Sequence, residues 1–145
     1  MNLVANAKVS TALDYASGTA DVNGAILDMS GFDGVLMIVK LAAVAAGAVT
    51  SIKAQQDTAS GGGTMADLTG TSQTVAANDD DQIFIIDLYR PLERYVRVVI
   101  DKDASNAVGA SAIYVQYGAS EGPVVQTVTD EVTYELHVSP VEGTA

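Results

Sequence analysis

Residues 83–101 read IFIIDLYRPLERYVRVVID, two strongly β-forming runs on either side of Arg90 and Pro91. The first run is apolar (Ile83, Phe84, Ile85, Ile86), and the second alternates, with Val96, Val98 and Ile100 set against Tyr95, Arg97 and Asp101. β-Branched and aromatic residues at period two fit a pleated, half-buried surface, and a proline punctuates it, so the stretch predicts two adjacent strands joined at a corner. It contains no catalytic constellation and reads as scaffold.

The same pattern extends outward. Val35, Met37, Val39 and Leu41 share one face of a strand predicted over 34–42, after a strand at 25–29 and the turn Ser30-Gly31-Phe32-Asp33-Gly34. The segment LAAVAAGAV (41–49) reads as strand, loop and new strand. Thr50 to Asp57 alternates Ile52 and Ala54 against Ser51, Lys53 and Gln55 and predicts a half-buried strand. Thr58 to Thr64, TASGGGT, is a loop without a phosphate-binding lysine. A short strand is expected within 68–75, an acidic turn at 78–81, a hairpin-like loop at 103–109 and a strand at 112–117. Strands at this spacing predict an all-β chain, one β-sandwich or jelly-roll-like body at 23–123, with an extended N-terminal arm at 1–22 carrying at most an edge strand.

The C-terminal segment 124–145 is the most regular part of the sequence. Val124, Val128, Val132, Tyr134, Leu136 and Val138 alternate with Thr127, Thr129, Glu131, Thr133, Glu135 and His137. Period two means extended chain, and at ~3.3 Å per residue the run is on the order of 50 Å long if straight. It either folds back near Asp130 or reaches a neighbouring subunit, and is predicted as a second arm.

Composition excludes several function classes. With 18 acidic residues against 7 basic ones the formal net charge is -11, a sign that repels phosphate backbones, so direct nucleic-acid binding is not expected. No cysteine is present, which removes disulfides and thiolate chemistry. The N-terminus lacks the charged and apolar regions of a secretory signal, and the apolar stretch 35–49 is interrupted by Lys40 and Gly47, so neither export nor a membrane helix is predicted.

Candidate chemistry is sparse. Gly118-Ala119-Ser120-Glu121-Gly122 matches G-x-S-x-G and is followed by Asp130 and His137 in hydrolase order. A nucleophile elbow needs a helix directly after its serine, and Pro123 with the alternating chain beyond it imposes extension, so the reading is a turn. Asn78-Asp79-Asp80-Asp81 lacks the spaced ligands of a calcium loop and reads as a solvated turn before Ile83. No catalytic, metal or cofactor residue is therefore assigned, and the chain is expected not to be an enzyme. Tyr89, Arg90, Arg94, Tyr95 and Arg97 combine the two residue types enriched where proteins meet, and with Val128, Val132, Tyr134 and Leu136 of the C-terminal segment they form the candidate protein interface. Local pairing of the arginines with Glu93 or Asp87 is the plainer alternative.

Three segments, VTSIKAQQDTASGGGTMADLTGTS (49–72), the 83–101 corner and IYVQYGASEGPV (113–124), resemble the capsid decoration or cement proteins of siphophage-type tailed bacteriophages. The resemblance implies a compact β body on the outer surface of an icosahedral capsid, made in the host cytoplasm. It further implies a homo-oligomer, with a trimer favoured, and terminal arms that bind the major capsid protein. A carbohydrate- or receptor-binding β module on a virion fibre and a head-completion or tail protein are the alternatives; the absence of tryptophan speaks against a sugar-stacking site.

Overall fold

The computed structural model describes residues 2–45, 49–102, 108–126, 131–139 and 141–143, and among them no helix forms. The strands are β1 (Ala7–Ala16), β2 (Val22–Asn23), β3 (Leu27–Asp28), β4 (Phe32–Leu41), β5 (Val49–Asp57), β6 (Ala66–Asp67), β7 (Gln73–Thr74), β8 (Ile83–Tyr89), β9 (Tyr95–Lys102) and β10 (Ala110–Ala119). One antiparallel sheet has the order β1-β10-β4-β8, and the other β2-β9-β5-β6. β2 and β3 both pair with β9, and β6 and β7 both pair with β5, so each couple is one interrupted strand. With that count the described residues form an eight-strand, two-sheet sandwich in jelly-roll order, with the first of these strands against the last in one sheet and the second against the second-last in the other.

Period two does the sorting. Val35, Met37, Val39 and Leu41 of β4 are all at most 1% exposed and meet Ile52, Ala54, Val96, Val98 and Ile100 from the opposite sheet. Each large side chain among them contributes on the order of 1.5–3 kcal/mol by leaving water.

The 83–101 stretch behaves differently from its reading as two adjacent strands. β8 pairs with β4 in the first sheet and β9 pairs with β5 in the second, so the proline corner carries the chain from one sheet to the other. Arg90 makes the turn possible by adopting a left-handed φ of 51°, while its N–H donates to the Asp33 carbonyl at 2.7 Å. A non-glycine residue in that region is strained, and a following proline narrows its options further. Arg90→Gly is therefore expected to leave stability unchanged or raise it by up to about 1 kcal/mol, and Arg90→Val to lower it by about 1–2 kcal/mol. Urea midpoints check both; a clear loss in the glycine variant would contradict the strain argument.

Strand pairing and docking contacts reach into both predicted arms. Residues 7–16 form β1, paired with β10 from Ala7↔Tyr117 to Ala16↔Ala110 with bulges after Thr11 and Leu13, so the N-terminal segment completes the first sheet of its own subunit. β2 begins at Val22, inside the expected arm. At the other end Val124 to Gln126 dock against residues 4–9, as described below. The expected loop at 103–109 lies outside the described residues up to position 107.

The two interruptions in the second sheet are bridged by side-chain hydroxyls. Where the chain leaves the ladder between β2 and β3, the Tyr114 hydroxyl reaches across from the first sheet, accepts from Val98 N–H and donates to the Ala25 carbonyl, both at 2.9 Å. Gly24 is required by that approach, since a Cβ there would stand 2.8 Å from the Tyr114 hydroxyl oxygen. Between β6 and β7, Thr71 Oγ1 accepts from Ala54 N–H at 3.1 Å, and Leu68 N–H donates to the Ala54 carbonyl at 2.9 Å. Broken strands at both edges leave little unpaired ladder for another chain to extend.

Candidate interaction surfaces

The corner residues do not converge into one patch. Tyr89, 57% exposed, lies at the end of β8 on the outer face of the first sheet, whereas Tyr95 and Arg97 point outward from the second. The sheet crossover at Arg90 is the physical reason. Arg90 lies over the Tyr89 ring at 5.1 Å and Arg94 over the Tyr95 ring at 5.3 Å. A shallow cleft of about 380 Å³ separates them, lined by Met29, Phe32, Arg90, Leu92 and Arg94 among others.

Two of the arginines are already engaged within the subunit. Arg94 donates to Asp28 through both Nε (2.8 Å) and Nη2 (2.7 Å), a bidentate pair that holds the Asp28 carboxyl below its usual range and the guanidinium above its own. Arg97 Nε donates to Gln55 Oε1 at 2.8 Å. The partners are thus Asp28 and Gln55, in place of Glu93 or Asp87. Across the outer face of the second sheet, Lys53 adds ion pairs with Asp67 (2.9 Å) and Asp101 (3.1 Å), so this face is a polar one.

The C-terminal segment is docked at its start. Val124 N–H donates to the Ala5 carbonyl at 2.9 Å. Gln126, 3% exposed, accepts from Val9 N–H at 3.0 Å and donates to the carbonyls of Val4 (2.9 Å) and Ala7 (2.6 Å). Beyond it, Val132 and Tyr134 line a small apolar pocket with Leu3, Val4, Ala7 and Val9. Residues 131–139 belong to neither sheet, and Tyr134 (45%), Leu136 (61%) and Val138 (94%) are exposed. Val128 lies outside the described residues. The period-two pattern thus finds no ladder partner among the described residues.

Ser120 follows β10 at a bend, and its Oγ donates to the Gly31 carbonyl at 3.3 Å. His137 Nε2 lies 2.7 Å from Glu135 Oε2 on the exposed segment, and Asp130 is outside the described residues. In the acidic turn, Asp79 accepts from Ala76 N–H at 2.7 Å, Asp80 accepts from Val44 N–H at 2.6 Å, and Asp81 pairs with Lys40. The first two carboxylates cap separate backbone groups and the third faces an ammonium, and among the described residues no cluster of three or more potential metal ligands converges.

A surface that the sequence reading did not single out is the outer face of the first sheet. Register places Thr11, Ile113, Ile38 and Ile85 in one cross-strand row and Val9, Val115, Leu36 and Asp87 in the next, all pointing away from the core. Ile83 (59%), Ile85 (48%) and Ile113 (42%) are exposed there. Tyr117 lies flat across Gly34, where any Cβ would collide with its ring, and donates to Asp87 Oδ1 at 2.5 Å. Burial, then the Asp87 hydrogen bond, push its phenol up to about 12. A signal was available in the sequence: GVLMIV (34–39) and IFII (83–86) are continuous apolar runs, the pattern of strands covered on both faces.

No family model, curated protein or solved structure matches this chain.

Proposed function

We propose that the chain is a structural virion protein that decorates an icosahedral phage capsid and stabilises it by bridging neighbouring major capsid protein subunits. The observation that carries this reading is the C-terminal segment, which is strand-patterned yet outside both sheets, with Leu136, Val138 and Val141 exposed. Such a segment gains main-chain hydrogen bonds and apolar burial when it is added to another protein's sheet. The loss of chain entropy is best offset where many copies engage one preformed lattice. The resemblance over 49–72, 83–101 and 113–124 supports the same reading. The jelly-roll order is compatible with it, since viral capsid and lectin domains share that architecture, although fold alone does not assign function.

The protein would act at the outer surface of the shell after synthesis in the host cytoplasm, its acidic surface meeting basic shell loops. Quantitative mass spectrometry of purified virions is expected to find hundreds of copies per particle; six or twelve would indicate a connector or fibre instead. Removing residues 135–145, which leaves Gln126, Val132 and Tyr134 in place, is expected to reduce shell occupancy at least tenfold while the urea midpoint stays within about 0.5 kcal/mol of the full chain. Normal decoration by the shortened chain would exclude the arm.

A further inference from the structure

We infer that the C-terminal segment is a two-position arm: Gln126 is its fixed root, and the seating of Val132 and Tyr134 on residues 3–9 is a clasp that stores it along β1 until a partner draws it out. The release step rests on the bridging role proposed above; the clasp does not.

Root and clasp are built differently. At the root, the Gln126 amide makes the two bonds that one residue of a neighbouring parallel strand would make, accepting from Val9 N–H and donating to the carbonyl of Ala7, two residues earlier. A third bond goes to the Val4 carbonyl, and the side chain is buried. Val124 N–H on the Ala5 carbonyl continues in the same direction. Opening the root strands buried backbone groups, so it stays closed.

The clasp has no such bonds. Among the described residues no hydrogen bond joins 131–139 to the body, and the segment is held by apolar contact, with Val132 and Tyr134 lining one pocket with Leu3, Val4, Ala7 and Val9. About 90 Å³ between them stays unfilled, and Tyr134 is half exposed. Glu131 lines the adjoining cleft with Asp14, Thr11 and Leu13, so like charges meet where the stored segment begins. From Glu131 to Tyr134 the chain therefore runs back along β1, from Thr11 towards Leu3. A contact of two side chains, loosely packed and opposed by charge, opens locally without disturbing the fold.

Opening changes reach. With the clasp closed, Val138 is four residues beyond its last attachment at Tyr134, about 13 Å of extended chain. With the clasp open it is twelve residues beyond Gln126, about 40 Å, long enough to meet a neighbouring subunit. Storage lowers the apparent affinity for that neighbour in proportion to the fraction of copies that are open.

Chymotryptic cleavage after Tyr134 in the folded full chain, compared with a free peptide of residues 131–139, measures the clasp. The closed state is expected to slow it about tenfold, since cleavage follows the open population. Val132→Ser is expected to restore the rate of the peptide, and Val132→Ile, which extends into the unfilled space, to slow it further, with urea midpoints unchanged in both. Val132→Ser should also tighten attachment to undecorated shells by about the same factor, and Val132→Ile should weaken it. Cleavage of the unaltered chain at the rate of the peptide overturns the clasp. Altered cleavage with unaltered shell affinity overturns the release step. A chain that binds shells in no form overturns the proposed function, while the cleavage rates still decide whether the clasp exists.

Discussion

Tyr114→Phe is expected to lower the unfolding free energy by about 1–3 kcal/mol, a large loss for the removal of one oxygen atom. The ring is 1% exposed and its packing is unchanged in phenylalanine. What disappears is the acceptor for Val98 N–H at the point where β2 and β3 leave β9 unpaired, and no water reaches that amide easily, because Val98 itself is 1% exposed. Ala25 is exposed, so its carbonyl exchanges the hydroxyl for solvent at little cost. Tyr117→Phe is the control: its hydroxyl sits on exposed Asp87 and its loss should cost under about 1 kcal/mol. Urea titrations with unchanged m-value measure both, and a Tyr114→Phe shift below ~0.5 kcal/mol would show that the split strand needs no bridge.

The same residue makes an alkaline prediction. Burial holds the Tyr114 phenol well above its usual value of 10.0. A raised pKa in the folded state means that its contribution is complete below pH 10 and falls as pH rises above it, because the unfolded chain then releases a proton that the folded chain retains. One such group gives a slope of at most about 1.4 kcal/mol per pH unit. Tyr117, raised to about 12, adds a smaller share between 10 and 12. Tyr114→Phe should flatten the alkaline decline of stability, and an unchanged slope would place the phenol in solvent.

Gln126→Leu is expected to release the C-terminal segment from the body. The side chain is nearly the right volume for leucine, but leucine leaves Val9 N–H and the Ala7 carbonyl without the partners they now have, and Ala7 is 2% exposed. Stranding a buried backbone group costs about 1–3 kcal/mol. Since the contact joins two chain ends without touching the core, the loss should appear as local opening more than as a lower global midpoint. Hydrogen exchange at Val9 is expected to accelerate roughly 10- to 100-fold, and protease cleavage beyond Gln126 to accelerate with it. Equal protection in both proteins would mean that Val124 and the pocket around Val132 and Tyr134 suffice to hold the segment.

Strand identity and face were legible from residues 34–57 and 83–101, because alternation of side chains is a property of the local backbone. Val35, Met37, Val39, Leu41, Ile52 and Ala54 are in the core for that reason. The C-terminal alternation was equally visible, and there it misled about anchoring: Gln126 falls on a position that period two classes with the valines, and only its contact with Val4, Ala7 and Val9, more than a hundred residues away in sequence, shows what it does. The candidate interface was read as one patch because Tyr89 to Arg97 are close in sequence, and the crossover at Arg90 divides it between two faces.

By itself, then, the sequence determined that this chain is all-β and where the strands of 32–57 and 83–102 lie, since these follow from short-range geometry and composition. Tertiary structure alone decided that β8 and β9 part company, that β1 closes on β10, and that Leu36, Ile38, Ile85 and Ile113 align on one outward apolar face. Strand pairing is a long-range choice among edges that look alike locally, so a face made from three strands exists only once they have found one another.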